Sequence, residues 1–343
     1  MAETPKIPPA GTPGDHPTAL PAPVSPSLAL DQLVESARDY ARHATAGNTN
    51  KAYASDWAQF TAWCRSRGAS PLPPSPHLVG LYIADLAAPQ GNTPALSVAS
   101  IERRLSGLVW TYAQRGTPLD RRDRHIASVL AGIRRKHAKP PAQKAAVLAG
   151  DLRAMLATLP RDLRGARDRA MLLIGFAGGL RRSELVGLDH GRDDTIDSAG
   201  WVQVLEDGLV LTLRGKTGWR EVEIARGSAP ETCPATALSL WLKAAQIDFG
   251  PLFTSVSRDG LRSTGARLSD KHVARLAKSC AEAAGLDPRQ YSGHSLRAGL
   301  ATSAEVDERY VQKQLGHASA EMTRRYQRNR DRFRVNLTKA AGL

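Results

Sequence analysis

The spacing of apolar residues predicts helices along the first third of the chain. From Leu28 to about residue 137, apolar positions recur every three or four residues, which is the period of one helix face. Asn48 and Thr49 are candidate N-caps, because short polar side chains accept bonds from the first free N–H groups of a helix. The predicted helices lie around 30–41 and 52–64, and at 76–87, 97–115 and 121–136.

A second group of helices follows, and the period changes in the middle of it. Helices are predicted at about 150–159, 166–177, 233–246 and 269–284. Residues 201–224 instead alternate apolar and polar positions, with Asp207-Gly208 and Gly215–Gly218 between the runs. Alternation broken by glycine turns is typical of antiparallel hairpins. The predicted fold class is therefore mainly α, with a small three-stranded antiparallel β-sheet in the C-terminal domain.

The chain divides into a tail, two domains and a linker. At 343 residues it is long enough for about two domains that each bury a core. Residues 1–27 are rich in proline, alanine and threonine, which predicts a disordered tail. A helical domain is expected at 28–138. The basic stretch 139–150, with Pro140-Pro141, is expected to be an extended linker to a second domain at 151–343.

The charge of the chain indicates a polyanionic partner. Its net charge is +14, and arginine-rich stretches occur at 121–136 and 324–334. No apolar run approaches the roughly 20 residues of a membrane span, so nucleic acid is favoured over membrane. The three cysteines are far apart and lack metal-ligand spacing. They predict a reducing cytoplasmic location and no structural metal.

The stretch from His294 to Tyr326 contains the residues best suited to chemistry. His294 and Arg297 are three residues apart, which places both side chains on one face of a helix. His317 follows in Leu315-Gly316-His317, and Tyr326 comes nine residues later. Arginine binds phosphate oxygens, histidine moves protons near neutral pH, and a tyrosine hydroxyl can be a covalent nucleophile. The set suits attack on a phosphodiester, although Leu-Gly-His is also typical of a helix C-cap with a left-handed glycine.

The order His-x-x-Arg, Leu-Gly-His and then tyrosine resembles the C-terminal signature of the tyrosine recombinases, the phage integrase, Xer and Cre-type site-specific DNA recombinases. Leu180-Arg181-Arg182-Ser183-Glu184-Leu185 resembles the first catalytic box of that family. The resemblance implies that Arg181, rather than Arg182, is the first catalytic arginine and that Glu184 supports it. It also implies that Lys216, in Gly-Lys-Thr-Gly, is the hairpin lysine that protonates the leaving oxygen, with Arg220 as the rival.

The N-terminal domain carries a looser resemblance. The sequence from Asn48 to Phe60 resembles the start of the core-binding domain of the same recombinases. In the family this domain is a small helical bundle that forms half of a DNA clamp, so the resemblance implies a two-domain DNA clamp. The candidate phosphate contacts in this domain are Thr49, Lys51, Arg103, Arg104 and Arg121.

The resemblance implies a complete reaction. Arg181 and Arg297 would bind the scissile phosphate with help from His317, while Tyr326 attacks and His294 takes its proton. A 3′-phosphotyrosyl link conserves the bond energy, so no metal, ATP or other cofactor is implied. The implied partner is double-stranded DNA with specific recombination sites. The chain is expected to form a homotetramer on that DNA and to be a monomer or dimer when free. The resemblance is also compatible with accessory DNA-bending proteins as partners. It implies a bacterial enzyme, or one encoded by a phage or mobile element, that is associated with the nucleoid.

Other interpretations of the same residues stay open at this point. A type IB topoisomerase shares the phosphotyrosine chemistry but acts as a monomer, and a DNA-binding protein could keep the fold without the chemistry. The hairpin, linker and helical front domain look like the recombinases, and all six catalytic residue types are present. Residues 327–343 are expected to form a tail helix that docks either on a neighbouring subunit or on its own domain.

Overall fold

The chain forms two compact units, residues Met1–Pro141 and Ala142–Leu343. The computed structural model describes residues 26–43, 47–88, 91, 94–140, 143–192, 195–215, 218–317, 319–327 and 337–342. Residues 1–25 of the tail predicted at 1–27 lie outside the described residues. The first helix begins at Pro26.

The first unit is built of helices, close to those predicted. Ser75 and Ser97 accept backbone N–H bonds at the starts of the third and fourth helices, at 3.3 and 3.2 Å. The fifth starts three residues later than predicted because Asp123 is its N-cap, accepting the N–H of His125 at 2.8 Å. The helices are α1 (Pro26–His43), α2 (Gly47–Ser66), α3 (Pro76–Ala87), α4 (Val98–Gln114) and α5 (Arg124–His137).

Two details of the first unit differ from the prediction. Helix α2 begins at Gly47, so Asn48 and Thr49 lie inside its first turn instead of capping it. The apolar face of α1 is exposed, with Leu30 at 63% and Leu33 at 65% of full accessibility. The core is formed by α2 to α5, and its largest fully buried side chains are Phe60, Tyr82, Ile83, Ile101, Leu105, Leu108, Tyr112 and Ile126.

The second unit contains the remaining helices and both β-sheets. Its core includes Met155, Ile174 and Trp241, which are fully buried, and the indole of Trp241 donates to the carbonyl of Leu252 at 2.8 Å. Its helices are α6 (Ala149–Ala157), α7 (Leu163–Ala177), α8 (Arg182–Val186), α9 (Pro234–Ala245), α10 (Asp270–Ala283), α11 (Ser295–Ser303), α12 (Glu308–Leu315), α13 (Ala320–Gln327) and α14 (Leu337–Ala340).

The main sheet has the order β1-β2-β3-β4. Strands β2, β3 and β4 pair antiparallel, as the alternating pattern predicted, while β1 pairs parallel with β2. A separate two-stranded ribbon, β5-β6, was also not predicted, because strands of three to five residues are too short to show a period. The strands are β1 (Leu188–His190), β2 (Gly200–Val204), β3 (Gly208–Gly215), β4 (Gly218–Ala225), β5 (Thr254–Val256) and β6 (Ser263–Arg267).

Part of the predicted linker is bound into the second unit. The backbone N–H of Ala145 donates to the carbonyl of Gln290 at 2.8 Å, and that of Val147 donates to Ser295 at 3.0 Å. Val147 is fully buried. Residues 145–147 therefore lie against the segment that leads into His294, unlike a free connector.

The predicted fold class is confirmed: the chain is mainly helical with a small antiparallel sheet in its second unit. In the part of the chain that is described, no helix combines the length and apolar character that crossing a membrane requires.

Candidate active site

Arg181 and Glu184 are held together at the start of a short helix. Arg181 is the N-cap of α8, and Glu184 is its third helical residue. One carboxylate oxygen of Glu184 accepts the backbone N–H of Arg181 at 2.8 Å, and the other accepts Nη1 of the same arginine at 2.5 Å. The guanidinium of Arg181 remains about one-third exposed, at 35%. Arg182 turns away and lies 3.5 Å from the carboxylate of Asp270.

Arg297 is buried in α11 and joins two chain segments. It is only 1% exposed, and its Nη1 and Nη2 donate to the carbonyls of Gly179 and Leu315, each at 2.6 Å. Gly179 has a positive φ of 57°, and a Cβ there would lie 2.5 Å from the side chain of Leu315. Glycine at position 179 therefore permits both the left-handed turn and the close approach of Leu315 and Leu300.

His294 lies at the N-cap position of α11, with an exposed side chain. Partial desolvation of the ring lowers the pKa of His294 below its usual 6.5, and the positive charges of Arg297 and Arg181 lower it further. Its imidazole is consequently neutral at pH 7. A neutral imidazole next to two guanidinium groups can accept a proton from an acidic donor.

His317 follows the C-terminus of α12. Gly316 caps that helix in the left-handed conformation, with φ 59° and ψ 47°, as the C-cap interpretation of Leu-Gly-His predicts. His317 is buried, and its Nδ1 lies 2.9 Å from the hydroxyl of Thr323 on α13. Burial, followed by the charges of Arg297 and Arg181, lowers the pKa of His317 to about 4.

Tyr326 belongs by backbone to α13, three residues after the buried Thr323. Its side chain lies outside the described residues. The contact between Thr323 and His317 fixes this helix against the end of α12. Thr323 was not among the predicted residues, since no motif marks a threonine as the partner of a histidine six residues earlier.

Lys216 lies outside the described residues, together with Thr217. Gly215 and Gly218 are paired across β3 and β4 on either side of them. Arg220, considered above only as a rival of Lys216, is on β4 and mostly buried, with 14% of its side chain exposed. Its Nη2 lies 3.1 Å from Glu184, which places Arg220 within the cluster.

The site is a positively charged cluster around one buried carboxylate. Burial raises the pKa of Glu184, but the charge of Arg220 and the bonds from Arg181 outweigh burial and lower the pKa overall. Glu184 is thus ionised and cannot cancel the charge of Arg181, Arg220 and Arg297 together. Guanidinium and imidazole donors of this kind match the oxygens of a phosphate. Among the described residues, no group of three or more His, Cys, Asp or Glu could hold a metal ion.

The predicted phosphate contacts of the first unit do not share one face. Arg103 is paired with Asp56, a buried carboxylate on α2, and its Nη2 donates to it at 2.8 Å. Arg104, the next residue on α4, points to α3 and donates to the hydroxyl of Tyr82 at 3.2 Å. Adjacent helix positions diverge in this way because each residue is rotated by about 100° from the last.

The other three predicted contacts lie at the starts of helices. Thr49 is in the first turn of α2, and Lys51 follows it at the start of the second turn, where it is exposed. Arg121 lies in the turn before α5 and donates to the hydroxyl of Ser106 at 3.1 Å. Contact of these three residues with DNA stays a prediction.

Comparison with known proteins identifies the family. The profile of the Phage integrase family matches residues 147–332. An integrase/recombinase XerD homolog of Selenomonas ruminantium is 36% identical over 300 residues, covering 85% of this chain and 84% of that protein. Tyrosine recombinase XerC 1 of Ralstonia nicotianae is 34% identical over 183 residues, covering 50% of this chain and 53% of that protein.

Solved structures with the same fold include recombinases bound to DNA. The XerH site-specific recombinase in a post-cleavage complex with a palindromic difH substrate has a TM-score of 0.55 and 18% identity, covering 80% of this chain and 73% of that one. The Tn1549 transposon integrase with circular intermediate DNA has a TM-score of 0.53 and 16% identity, covering 85% and 92%. The relatives do not favour the topoisomerase or the non-catalytic alternative. The chain belongs to the phage integrase family and is a tyrosine-type site-specific recombinase, an enzyme that cleaves and joins DNA.

Proposed function

We propose that the cluster in the second unit binds one scissile phosphate and that Tyr326 attacks it. Arg181 and Arg297 donate to the non-bridging oxygens and stabilise the extra negative charge of the transition state. Preorganised donors of this kind contribute roughly 2.7–4 kcal/mol each. The low pKa of His317 keeps its ring neutral, so His317 adds a hydrogen bond to the phosphate and no charge. The observation that carries this proposal is that His294 and His317 both lie close enough to Arg181 and Arg297 for the two arginines to lower their pKa values, while Glu184 holds Arg181.

Two proton transfers balance the reaction. The hydroxyl of Tyr326 loses its proton to the neutral imidazole of His294 while its oxygen forms a bond to phosphorus. The bond from phosphorus to the 5′-oxygen breaks, and Lys216 gives that oxygen a proton. The products are a 3′-phosphotyrosyl link and a free 5′-hydroxyl. Attack by that hydroxyl on the phosphotyrosine reverses every step and rejoins the strand.

The reaction as proposed needs neither metal nor ATP. Guanidinium groups handle the phosphate charge, and the covalent link retains the energy of the phosphodiester for rejoining. Cleavage is therefore expected to continue in excess EDTA. Complete loss on chelation, with recovery on adding magnesium, would replace this proposal with a metal-dependent nuclease.

The proposed partners are duplex DNA with specific recombination sites and further copies of the chain. One XerH structure contains a difH substrate, and the Tn1549 integrase structure contains circular intermediate DNA. Exchange between two duplexes requires four cleavages, so we propose a homotetramer on paired sites and a monomer or dimer when free. We also propose that accessory DNA-bending proteins take part and that the enzyme is cytoplasmic and associated with the nucleoid. The first unit would contact the backbone through Lys51 and its neighbours.

A nicked suicide duplex tests the proposal. The nick releases a short strand after cleavage, so a covalent protein–DNA adduct accumulates and can be counted on a denaturing gel. The wild-type chain is expected to form the adduct, and Tyr326→Phe is expected to bind the duplex without forming it. Tyr310→Phe is the matched control, because Tyr310 is 70% exposed on α12. An adduct in Tyr326→Phe, or its loss in Tyr310→Phe, would show that the nucleophile is another tyrosine.

A further inference from the structure

Arg220 is an arginine whose guanidinium is buried between two parts of the active-site cluster. It is on β4, and only 14% of its side chain is exposed. Its Nη2 lies 3.1 Å from Oε2 of Glu184 on α8. The resemblance to the recombinases gave this arginine no role other than as a rival of Lys216.

Arg220 and Arg181 divide the carboxylate of Glu184. Oε1 accepts Nη1 of Arg181 at 2.5 Å, whereas Oε2 is shared between the backbone N–H of Arg181 and Nη2 of Arg220. The side chain of Arg181 is therefore bound to the carboxylate through one nitrogen and one oxygen. Arginine and carboxylate otherwise favour a two-pronged pairing, which would turn the guanidinium fork of Arg181 entirely towards Glu184.

The same guanidinium passes beneath the residue that precedes His317. A Cβ on Gly316 would lie 2.5 Å from Nε and 2.7 Å from Cδ of Arg220. Gly316 therefore has two reasons to be glycine, its left-handed backbone and the close approach of Arg220. The position of Arg220 is fixed from the α8 side by an ion pair and from the α12 side by packing.

Structural stability does not explain this arrangement. Among the residues that the structure describes, the buried Nε and Nη1 of Arg220 have no hydrogen-bond partner. An unpaired buried donor is costly, and it is costlier on a charged group. The ion pair with Glu184 accounts for only one of the three guanidinium nitrogens, Nη2. A buried group that is only partly satisfied at an active site is expected to have a functional role.

We propose that Arg220 is a positioning residue that keeps Glu184 from capturing the guanidinium of Arg181, so that Arg181 stays directed at the scissile phosphate. The inference rests on the proposed function of Arg181. Arg220 does this by occupying Oε2 and by adding a second positive charge beside the carboxylate. Without it, the ionised Glu184 would compete with the phosphate for the fork of Arg181.

Arg220→Met tests the proposal, because methionine keeps a long flexible stem and removes the charge. Adduct formation at saturating suicide DNA is expected to slow by roughly 10- to 100-fold, less than the loss of a donor that touches the phosphate. The dissociation constant for DNA is expected to stay within about threefold, since most affinity comes from other backbone contacts. Arg226→Met is the matched control: Arg226 is exposed just after β4 and bonds the carbonyl of Glu206.

The decisive measurement is a double variant. Glu184→Gln removes the charge that competes for Arg181, so Arg220→Met/Glu184→Gln is expected to cleave at least about fivefold faster than Arg220→Met alone, because the fork is no longer captured. A role confined to packing predicts the opposite, a double variant no faster than Arg220→Met. That result, or a wild-type rate in Arg220→Met, would overturn the proposal.

Two further readouts separate folding and function. If Arg220→Met does not give a cooperative thermal transition, Arg220→Lys carries the test, because an ammonium group can still pair with Glu184. It is expected to retain cleavage within about tenfold of wild type, and a larger loss in a folded Arg220→Lys would count against the proposal. If the wild-type chain forms no adduct, the proposed function fails. If the wild-type chain forms the adduct and the Arg220 variants form it at the same rate, only the inference about Arg220 fails.

Discussion

Nδ1 of His317 lies 2.9 Å from the hydroxyl of Thr323, and both side chains are buried. The bond joins the turn after α12 to α13, the helix to which Tyr326 belongs. A pKa of about 4 keeps His317 neutral, so one of its ring nitrogens donates and the other accepts. The contact with Thr323 therefore ties the orientation of the His317 ring to the helix that carries Tyr326.

Thr323→Val should slow cleavage without weakening DNA binding. Valine has nearly the shape of threonine but lacks the hydroxyl, so the variant removes one neutral hydrogen bond of about 1 kcal/mol. We expect a single-turnover rate of adduct formation that is slower by up to about fivefold, because each 1.36 kcal/mol of barrier is a factor of ten. Thr323→Ser keeps the hydroxyl and should stay close to wild type. Equal rates for the valine and serine variants would contradict a role for the bond.

The sequence predicted those parts of the site that are close together along the chain. His294 and Arg297 fall within one helical turn, so their spacing places them together. Arg181 and Glu184, which the resemblance to the recombinases singled out, also fall within one turn. Helices α3, α4, α7 and α10 were also predicted within a few residues, since each has a regular apolar face and clear end signals.

Features that depend on distant segments could not be predicted in this way. Arg220 and Glu184 are 36 positions apart and meet only because the main sheet packs beside α8. The bonds from Arg297 to the carbonyls of Gly179 and Leu315 likewise depend on the tertiary fold. The parallel pairing of β1 with β2 was missed because a three-residue strand carries no period. Side-chain partners of this kind leave no periodic signal in a single sequence.

The pH dependence of cleavage should identify His294 as the base. Its pKa is lowered by desolvation and by Arg297 and Arg181, so it is neutral and able to accept a proton above about pH 6.5. The single-turnover rate should rise with pH through the pKa of His294 and then level off. His294→Ala should lose this acid limb and cleave roughly 10²-fold more slowly at the plateau.

The His317→Ala variant is the control for that profile. With a pKa of about 4, His317 does not titrate between pH 5 and pH 8. His317→Ala should therefore be slower than wild type yet keep the acid limb. If the limb disappeared in His317→Ala and persisted in His294→Ala, the two histidines would exchange roles.

Lys51 and Arg103 should respond differently to substitution, although both are candidate phosphate contacts. Lys51 is exposed near the start of α2, so Lys51→Ala should reduce the slope of log affinity against log salt by about 0.9. Arg103 is paired with the buried Asp56, so Arg103→Ala leaves that carboxylate without its partner. We expect Arg103→Ala to lower the free energy of unfolding by about 1–3 kcal/mol.

Filter binding at several salt concentrations and thermal unfolding of both variants check this prediction. Lys51→Ala should unfold like wild type. An unchanged unfolding temperature for Arg103→Ala together with a reduced salt slope would show that Arg103 acts mainly on DNA.

Lys216 should be replaceable by a better leaving group. A general acid is needed only because the 5′-oxygen is a poor leaving group, so Lys216→Ala should bind ordinary DNA and cleave it slowly, by roughly 10²–10⁴-fold. Sulfur in place of the bridging 5′-oxygen departs as a thiolate without a proton. That substrate should restore cleavage to Lys216→Ala but not to Arg181→Ala, because Arg181 stabilises the phosphate itself. Arg220→Met should resemble Arg181→Ala here, since Arg220 acts through Glu184. Rescue of Arg220→Met or His294→Ala without rescue of Lys216→Ala would move the acid to the rescued residue.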